Sequence, residues 1–299
     1  MAAERVYDFF NGAIGATRVT GPVSLDFAQS YIPVRAVNDG VTGPAMVAQG
    51  QFQGRWSLAM QDVARFATFL SDFESNAGIR AVAADTIRAG APTTGRRVTL
   101  TRCVLGEFSL TCRQNEPAQV TMGGPLAAAA ASDSLEDEVT ITALGSLSPT
   151  FQAGGRAYRL AVPNYASTVQ PEGIVSLELR GQPLLLSPVG EEWGVPALCA
   201  GWALAGRLVF RDWTITAAFI EAQRLLNVGT LGSLVVALSG QGATHTLTLA
   251  NAIFPGAQAA LRARDLAGDT AEFELAGLNG STGYALASGA NKLITIVTT

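Results

Sequence analysis

His245 and Lys292 are the only histidine and the only lysine in a chain of 299 residues. Histidine is the usual general base near neutral pH, and lysine serves Schiff bases and phosphate loops, so catalytic chemistry would be sought first at these two. Lys292 sits in Gly289-Ala-Asn-Lys-Leu, which lacks the Gly-x-x-x-x-Gly-Lys spacing that wraps a phosphate. His245 shares a strand face with Leu247 and Leu249, which reads as a structural position. Without a second histidine there is no His-rich metal site, and no Gly-x-Ser-x-Gly elbow occurs. Cys103, Cys112 and Cys199 are odd in number and have no metal-like spacing. Cys103 and Cys112 are expected on the two strands of one hairpin, where a disulfide is conceivable; buried reduced thiols are the better reading. Asp133, Glu136, Asp137 and Glu138 could attract a hard cation, but they lack the glycine and alternating oxygens of a calcium loop and read as a solvated lead-in. Trp56, Trp193, Trp202 and Trp213 could form a stacking platform, yet Trp56 and Trp202 alternate with apolar strand residues and read as packing. The expectation is no catalytic residue, no cofactor, no metal and no enzyme.

Composition points elsewhere. Apolar residues make up 48% and mean hydropathy is +0.26, while charged residues reach only 15% against a norm of about 25%. No stretch approaches the ~18 uninterrupted apolar residues of a membrane span. Met1-Ala-Ala-Glu-Arg-Val-Tyr-Asp places charges where a secretory signal needs an apolar run, so synthesis in a cytoplasm is expected. A net charge of −4 gives no basic footprint for gripping nucleic acid. A chain this short of charge predicts surface hidden in permanent protein contacts, and self-assembly is the first inference.

The elements that would carry these residues repeat. Gly21-Pro-Val-Ser-Leu-Asp-Phe27 matches Gly173-Ile-Val-Ser-Leu-Glu-Leu179, 152 positions later (21 against 173). Without a gap, Pro44-Ala45 then meets Pro196-Ala197, and Gly54-Arg55 meets Gly206-Arg207. Further on the register drifts: Val98 to Thr101 faces His245 to Thr248, and Gln119 to Gly124 faces Glu272 to Gly277. The reading is a tandem duplication. Each copy opens on an alternating strand (Val23, Leu25, Phe27; Val175, Leu177, Leu179), followed by a longer one through Trp56, Leu58 and Met60, or through Leu204, Leu208 and Phe210. One helix follows. Val63, Phe66, Ala67, Leu70 and Phe73 fall on one helical face behind a capping Asp62, and the second copy predicts a helix over about 216–227. Hairpins complete the unit, with Leu234–Leu238 against Thr244–Leu249 and Val98–Leu105 against Phe108–Cys112.

The predicted fold is mostly β (α+β): two tandem β-sandwich or barrel domains, 1–124 and 173–299, each with one flanking helix. A connecting arm over 125–172 joins them. Its alternating segments, with Val139, Ile141 and Leu144 on one and Tyr158, Leu160 and Val162 on the other, predict a long hairpin. Lacking a core of its own, that hairpin is expected to serve self-assembly by lying on a neighbour.

A doubled β domain with one flanking helix, a protruding hairpin and no catalytic residues resembles the tail tube proteins of long-tailed bacteriophages, whose domain also occurs in baseplate hub proteins. The resemblance rests on the order of elements over about 21–124 and 173–277, since the family has no sharp motif. It implies a virion structural protein made in the host cytoplasm, six tube domains per ring, and sheets closed around a lumen that passes genomic DNA. A two-domain chain would then close a homotrimeric, pseudo-hexameric ring, stack into a tube and meet other tail proteins at the tube's ends. A baseplate hub or distal tail protein is the alternative within this class, and a monomeric ligand-binding β-sandwich is the alternative outside it.

Overall fold

The computed structural model describes residues 7–19, 21–38, 41–88, 91–113, 116–127, 135–144, 159–165, 174–186, 198–210, 231–240, 243–258 and 269–298. The fold is mostly β. Its first half carries β1 (Tyr7–Ile14), β2 (Thr17–Val19), the long strands β3 (Val23–Asn38) and β4 (Val41–Met60), and helix α1 (Val63–Ser75). Strands β5 (Ile79–Arg88), β6 (Ala91–Val104), β7 (Glu107–Arg113) and β8 (Gln119–Pro125) follow, then the single turn α2 (Leu135–Glu138) and β9 (Val139–Leu144). The second half has β10 (Arg159–Tyr165), β11 (Ile174–Leu186), β12 (Leu198–Phe210), β13 (Gly232–Gly240), β14 (Ala243–Gln258) and β15 (Asp269–Leu275). The short pair β16 (Leu278–Asn279) and β17 (Thr282–Gly283) precedes a final strand, β18 (Ile294–Thr298).

Two large antiparallel sheets hold all of these strands but β16 and β17, which pair with each other. One runs β2-β1-β5-β6-β9, and the other runs β10-β13-β14-β15-β12-β11-β7-β8-β4-β3 with β18 also on β14. The pairing of each half follows one scheme. In the first, β1 flanks β5, β5 pairs with β6 and β6 with β9. In the second, β10 flanks β13, β13 pairs with β14 and β14 with β18. The leading hairpins also agree in register. Leu25, Asp26 and Phe27 face Trp56, Arg55 and Gly54, and the residues 152 later, Leu177, Glu178 and Leu179, face Leu208, Arg207 and Gly206.

The next strand over corrects part of the sequence alignment. Trp56 faces Gly124 on β8, while Leu208 faces Ala271 on β15, a shift of 147 (124 against 271). Matching Gln119–Gly124 to Glu272–Gly277 uses 153 and is therefore six residues out. Both choices keep the same residues on the buried face, because a strand alternates with period two, so alternation alone does not separate them. The crowding of two glycines agrees with 147. A Cβ at Gly54 would collide with Leu126, and one at Gly206 with Phe273, the residue 147 beyond Leu126.

Helix α1 is the element best specified locally. Asp62 caps it, accepting from Arg65 N at 3.2 Å, which satisfies a first-turn donor. Val63, Phe66, Phe69, Leu70 and Phe73 are buried; Phe69 joins the predicted face and Ala67 lies at its margin. Trp56 stacks on Phe73 at 5.4 Å, and Phe66 meets Phe108 edge-on at 5.4 Å. The predicted second helix, with Trp213, lies outside the described residues.

Two predicted hairpins are not formed. β6 pairs with β5 and β9, whereas β7 pairs with β8 and β11, so Cys103 and Cys112 sit in different sheets as free, buried thiols. The chain changes sheets at Leu105-Gly106, where Gly106 N donates to Gly123 O at 2.9 Å. The arm is not a hairpin either. β9 is laid on β6 (Leu100 facing Val139, Val98 facing Ile141) and β10 on β13 (Leu160 facing Leu238). Each of its strands meets unpaired backbone donors and acceptors at the edge of a sheet nearby, which satisfies both partners. Tyr158 lies outside the described residues.

Candidate functional site

Eight strands of the larger sheet lie side by side in the order β3-β4-β8-β7-β11-β12-β15-β14. Alternation sorts their side chains. Leu58, Leu110, Val120, Leu177, Leu208 and Phe273 point into the common core, and the residues between them point to the open face. That face is polar and its charges are interleaved. Arg55 Nη2 donates to Glu107 Oε1 at 2.6 Å, and Arg180 donates to Glu178 Oε1 at 2.5 and 2.8 Å. Arg207 is flanked in the ladders by Glu178 and Glu272 and donates to Thr270 Oγ1 at 3.3 Å. Exposed pairs of this kind add only about 0–1 kcal/mol each to stability. Their electrostatic effect is that each of these three arginines stands beside a carboxylate.

The sheet is unequal at its two β3-like positions. β11 is paired on both sides, by β12 and by β7, while among the described residues β3 is paired only by β4. The side chains register the difference. Leu179 is fully buried, whereas Phe27, 152 residues earlier, is 37% exposed. Leu177 is likewise buried and its counterpart Leu25 only partly so. Among the described residues β3 thus has one edge without a partner strand and an apolar flank beside it, the arrangement that invites another strand. Beyond Phe27 the β3–β4 hairpin continues to Asn38 facing Val41, and β8 pairs with β4 only from Arg55 onward. At about 3.4 Å per residue this hairpin carries on for roughly 35–40 Å with no third strand described beside it.

The residues singled out from sequence fall elsewhere. His245 is buried on β14, facing Leu238 and Thr298. Burial pushes the Cys112 thiol up to about 12 and the Cys103 thiol higher still, so neither supplies a thiolate near neutral pH. Trp56 is fully buried, its Nε1 donating to Val104 O at 2.8 Å, and Trp202 packs beside Phe108. Glu138 is buried and hydrogen-bonds Thr101 Oγ1, while Glu136 and Asp137 are exposed. Asp133 and Trp193 lie outside the described residues, as does the side chain of Cys199. Of the arm residues, Val139 packs against the core, Ile141 is 60% exposed and Leu144 is half-buried; Leu160 and Val162 lie on β10. Among the described residues no three His, Cys, Asp or Glu side chains are grouped to hold a metal, and no helix is long and apolar enough to cross a membrane.

The sequence held one signal for the β3 edge: Phe27 aligns with Leu179 in an ungapped match. What it lacked was any sign of which strand flanks each. Family models give no match to this chain, and curated proteins give none either.

Proposed function

We propose that this chain is a structural subunit of a bacteriophage tail tube, a tandem duplication of one tube domain whose copies close a three-chain ring. The observation that carries the reading is the contrast between Leu179 and Phe27. The joint between the halves, β7 on β11, buries Leu177 and Leu179. Among the described residues the corresponding flank of β3 is open, and the outer part of a second copy's β14 (253–258), which here has β15 on one side alone, would fill it in the same manner. Contacts of this head-to-tail kind form closed rings when the rotation permits. The matching registers of β3–β4 and β11–β12, and the matching partners of β5–β6 and β13–β14, support the duplication.

Magnitudes agree with a DNA conduit. Eight strands per chain and three chains give a 24-strand wall. At about 4.8 Å between strands this wall has a diameter of roughly 37 Å before strand tilt widens it. The open polar face would line the lumen. Its paired arginines offer phosphates little uncompensated positive charge, so genomic DNA would slide without specific binding. The β3–β4 hairpin has the reach to touch the next ring, and Ile141 on β9 remains a candidate for contact with a neighbour. On this reading the protein is made in the host cytoplasm, resides in the virion tail and is not an enzyme. Negative-stain microscopy of the concentrated protein tests it: stacked rings or tubes are expected. Isolated rings that never stack would favour a hub or distal tail protein, and featureless monomers would overturn the proposal.

A further inference from the structure

Glu74, near the end of α1, makes a contact that the assembly reading does not use. Its carboxylate accepts three consecutive backbone N–H groups from the other half of the chain: Leu286 at 2.6 Å, Ala287 at 2.9 Å and Ser288 at 2.8 Å. Successive amides aimed at one point form a concave anion site, which recognises any small oxyanion by charge and geometry. The loop that presents them is closed on itself. Leu293 N donates to Ala285 O at 2.8 Å, Ala285 N to Asn291 O at 3.0 Å, and Ile294 N to Leu286 O at 2.9 Å. Gly289, at φ 72°, makes the turn that this closure requires. The side chains of Leu286, Ala287 and Leu293 are buried in the common core, which fixes the loop's direction and leaves the three amides facing α1. Beside them lies a cavity of about 410 Å³, lined by Glu74, Trp202, Tyr284, Leu286 and Leu293 among others, with room for a small anion to approach.

We infer that residues 286–288 form a carboxylate receptor and that Glu74 is its built-in ligand. The pair pins the helix of the first half to the closing segment of the second. The pin is specific to charge and shape: a glutamine keeps the outline but presents one acceptor oxygen and an amide that repels the donors. An alanine empties the receptor, which then takes a free carboxylate from solution.

The test compares the parent with Glu74→Ala and Glu74→Gln by hydrogen exchange of the amides over 284–294, with sodium formate or sodium chloride at equal ionic strength. The expected result is exchange at 286–288 at least tenfold faster in Glu74→Ala. Formate should restore protection in a saturable way and chloride should not, with Glu74→Gln in between. Unchanged exchange in Glu74→Ala, or equal effects of formate and chloride, would overturn the inference. If Glu74→Ala does not fold, Glu74→Gln decides alone: parent-like protection at all three amides refutes the receptor, and selective loss there supports it.

Discussion

Replacing Trp56 with leucine installs the residue found 152 positions later, Leu208, and asks what the indole contributes. Trp56 is fully buried on β4 and reaches both other layers. Its Nε1 donates to Val104 O on β6 at 2.8 Å, and its ring stacks on Phe73 of α1 at 5.4 Å with an interplanar angle of 10°. The buried hydrogen bond contributes about 0.5–1.5 kcal/mol net. The aromatic stack adds about 0.5–1.5 kcal/mol beyond its area. Removing roughly 60 Å³ of side chain at about 24 cal/mol per Å³ costs about 1.5 kcal/mol if the site does not collapse. The sum is about 2.5–4.5 kcal/mol, or a fall of roughly 4–7 °C in Tm at the ~2.1 cal/mol/K per residue typical of unfolding. Urea unfolding of purified protein followed by circular dichroism reads it directly. A loss below about 1 kcal/mol would refute the claim that this indole ties the two sheets and the helix together.

Three further outcomes follow from the same packing. A Cβ at Gly206 would strike the Phe273 ring and come within 2.6 Å of Glu178 O, whereas one at Gly201 would meet nothing within 4 Å. Gly206→Ala is therefore expected to destabilise by about 1–3 kcal/mol through overpacking and Gly201→Ala to leave the urea midpoint almost unmoved; equal effects would contradict the register. In a Cys199→Ser background, Cys103 and Cys112 are expected to resist alkylation at pH 8 until denaturant is added, because burial holds both thiols protonated far above that pH; rapid labelling of the native protein would count against that burial. Exchanging His245 for valine, the residue aligned with it at position 98, is expected to leave folding and assembly near the parent's, and loss of either would assign the histidine a role.

Much of the fold is legible where residues near in sequence dictate it. Helix α1 announces itself through a run of apolar side chains at helical spacing behind Asp62, and the β3–β4 register is mirrored 152 residues later by β11–β12. Sheet membership is not legible. Alternation continues on both sides of Leu105-Gly106, and nothing local states that β7 leaves β6 for β8 and β11. The arm shows the same blindness: β9 and β10 alternate as edge strands do, but the edges that take them belong to β6 and β13. Glu74 looks like an ordinary solvated helix residue, because its three donors arrive from more than two hundred residues away. The candidate site lies between these cases. Polar alternation marks its open face, but the free edge of β3 appears only when Phe27 and Leu179 are compared in the folded chain.

Sedimentation velocity of the parent and of Phe27→Glu, at matched high concentration, decides whether the flank of β3 is an assembly edge. The substitution places a charge on the apolar flank of β3, where burial against a second copy would require it to be desolvated. The parent is expected to sediment as a particle of about three chains of 31.0 kDa, with larger stacks as concentration rises, and the variant to be folded by circular dichroism but to sediment as a single chain. A parent that stays a single chain, or a Phe27→Glu variant that assembles as the parent does, would contradict that role.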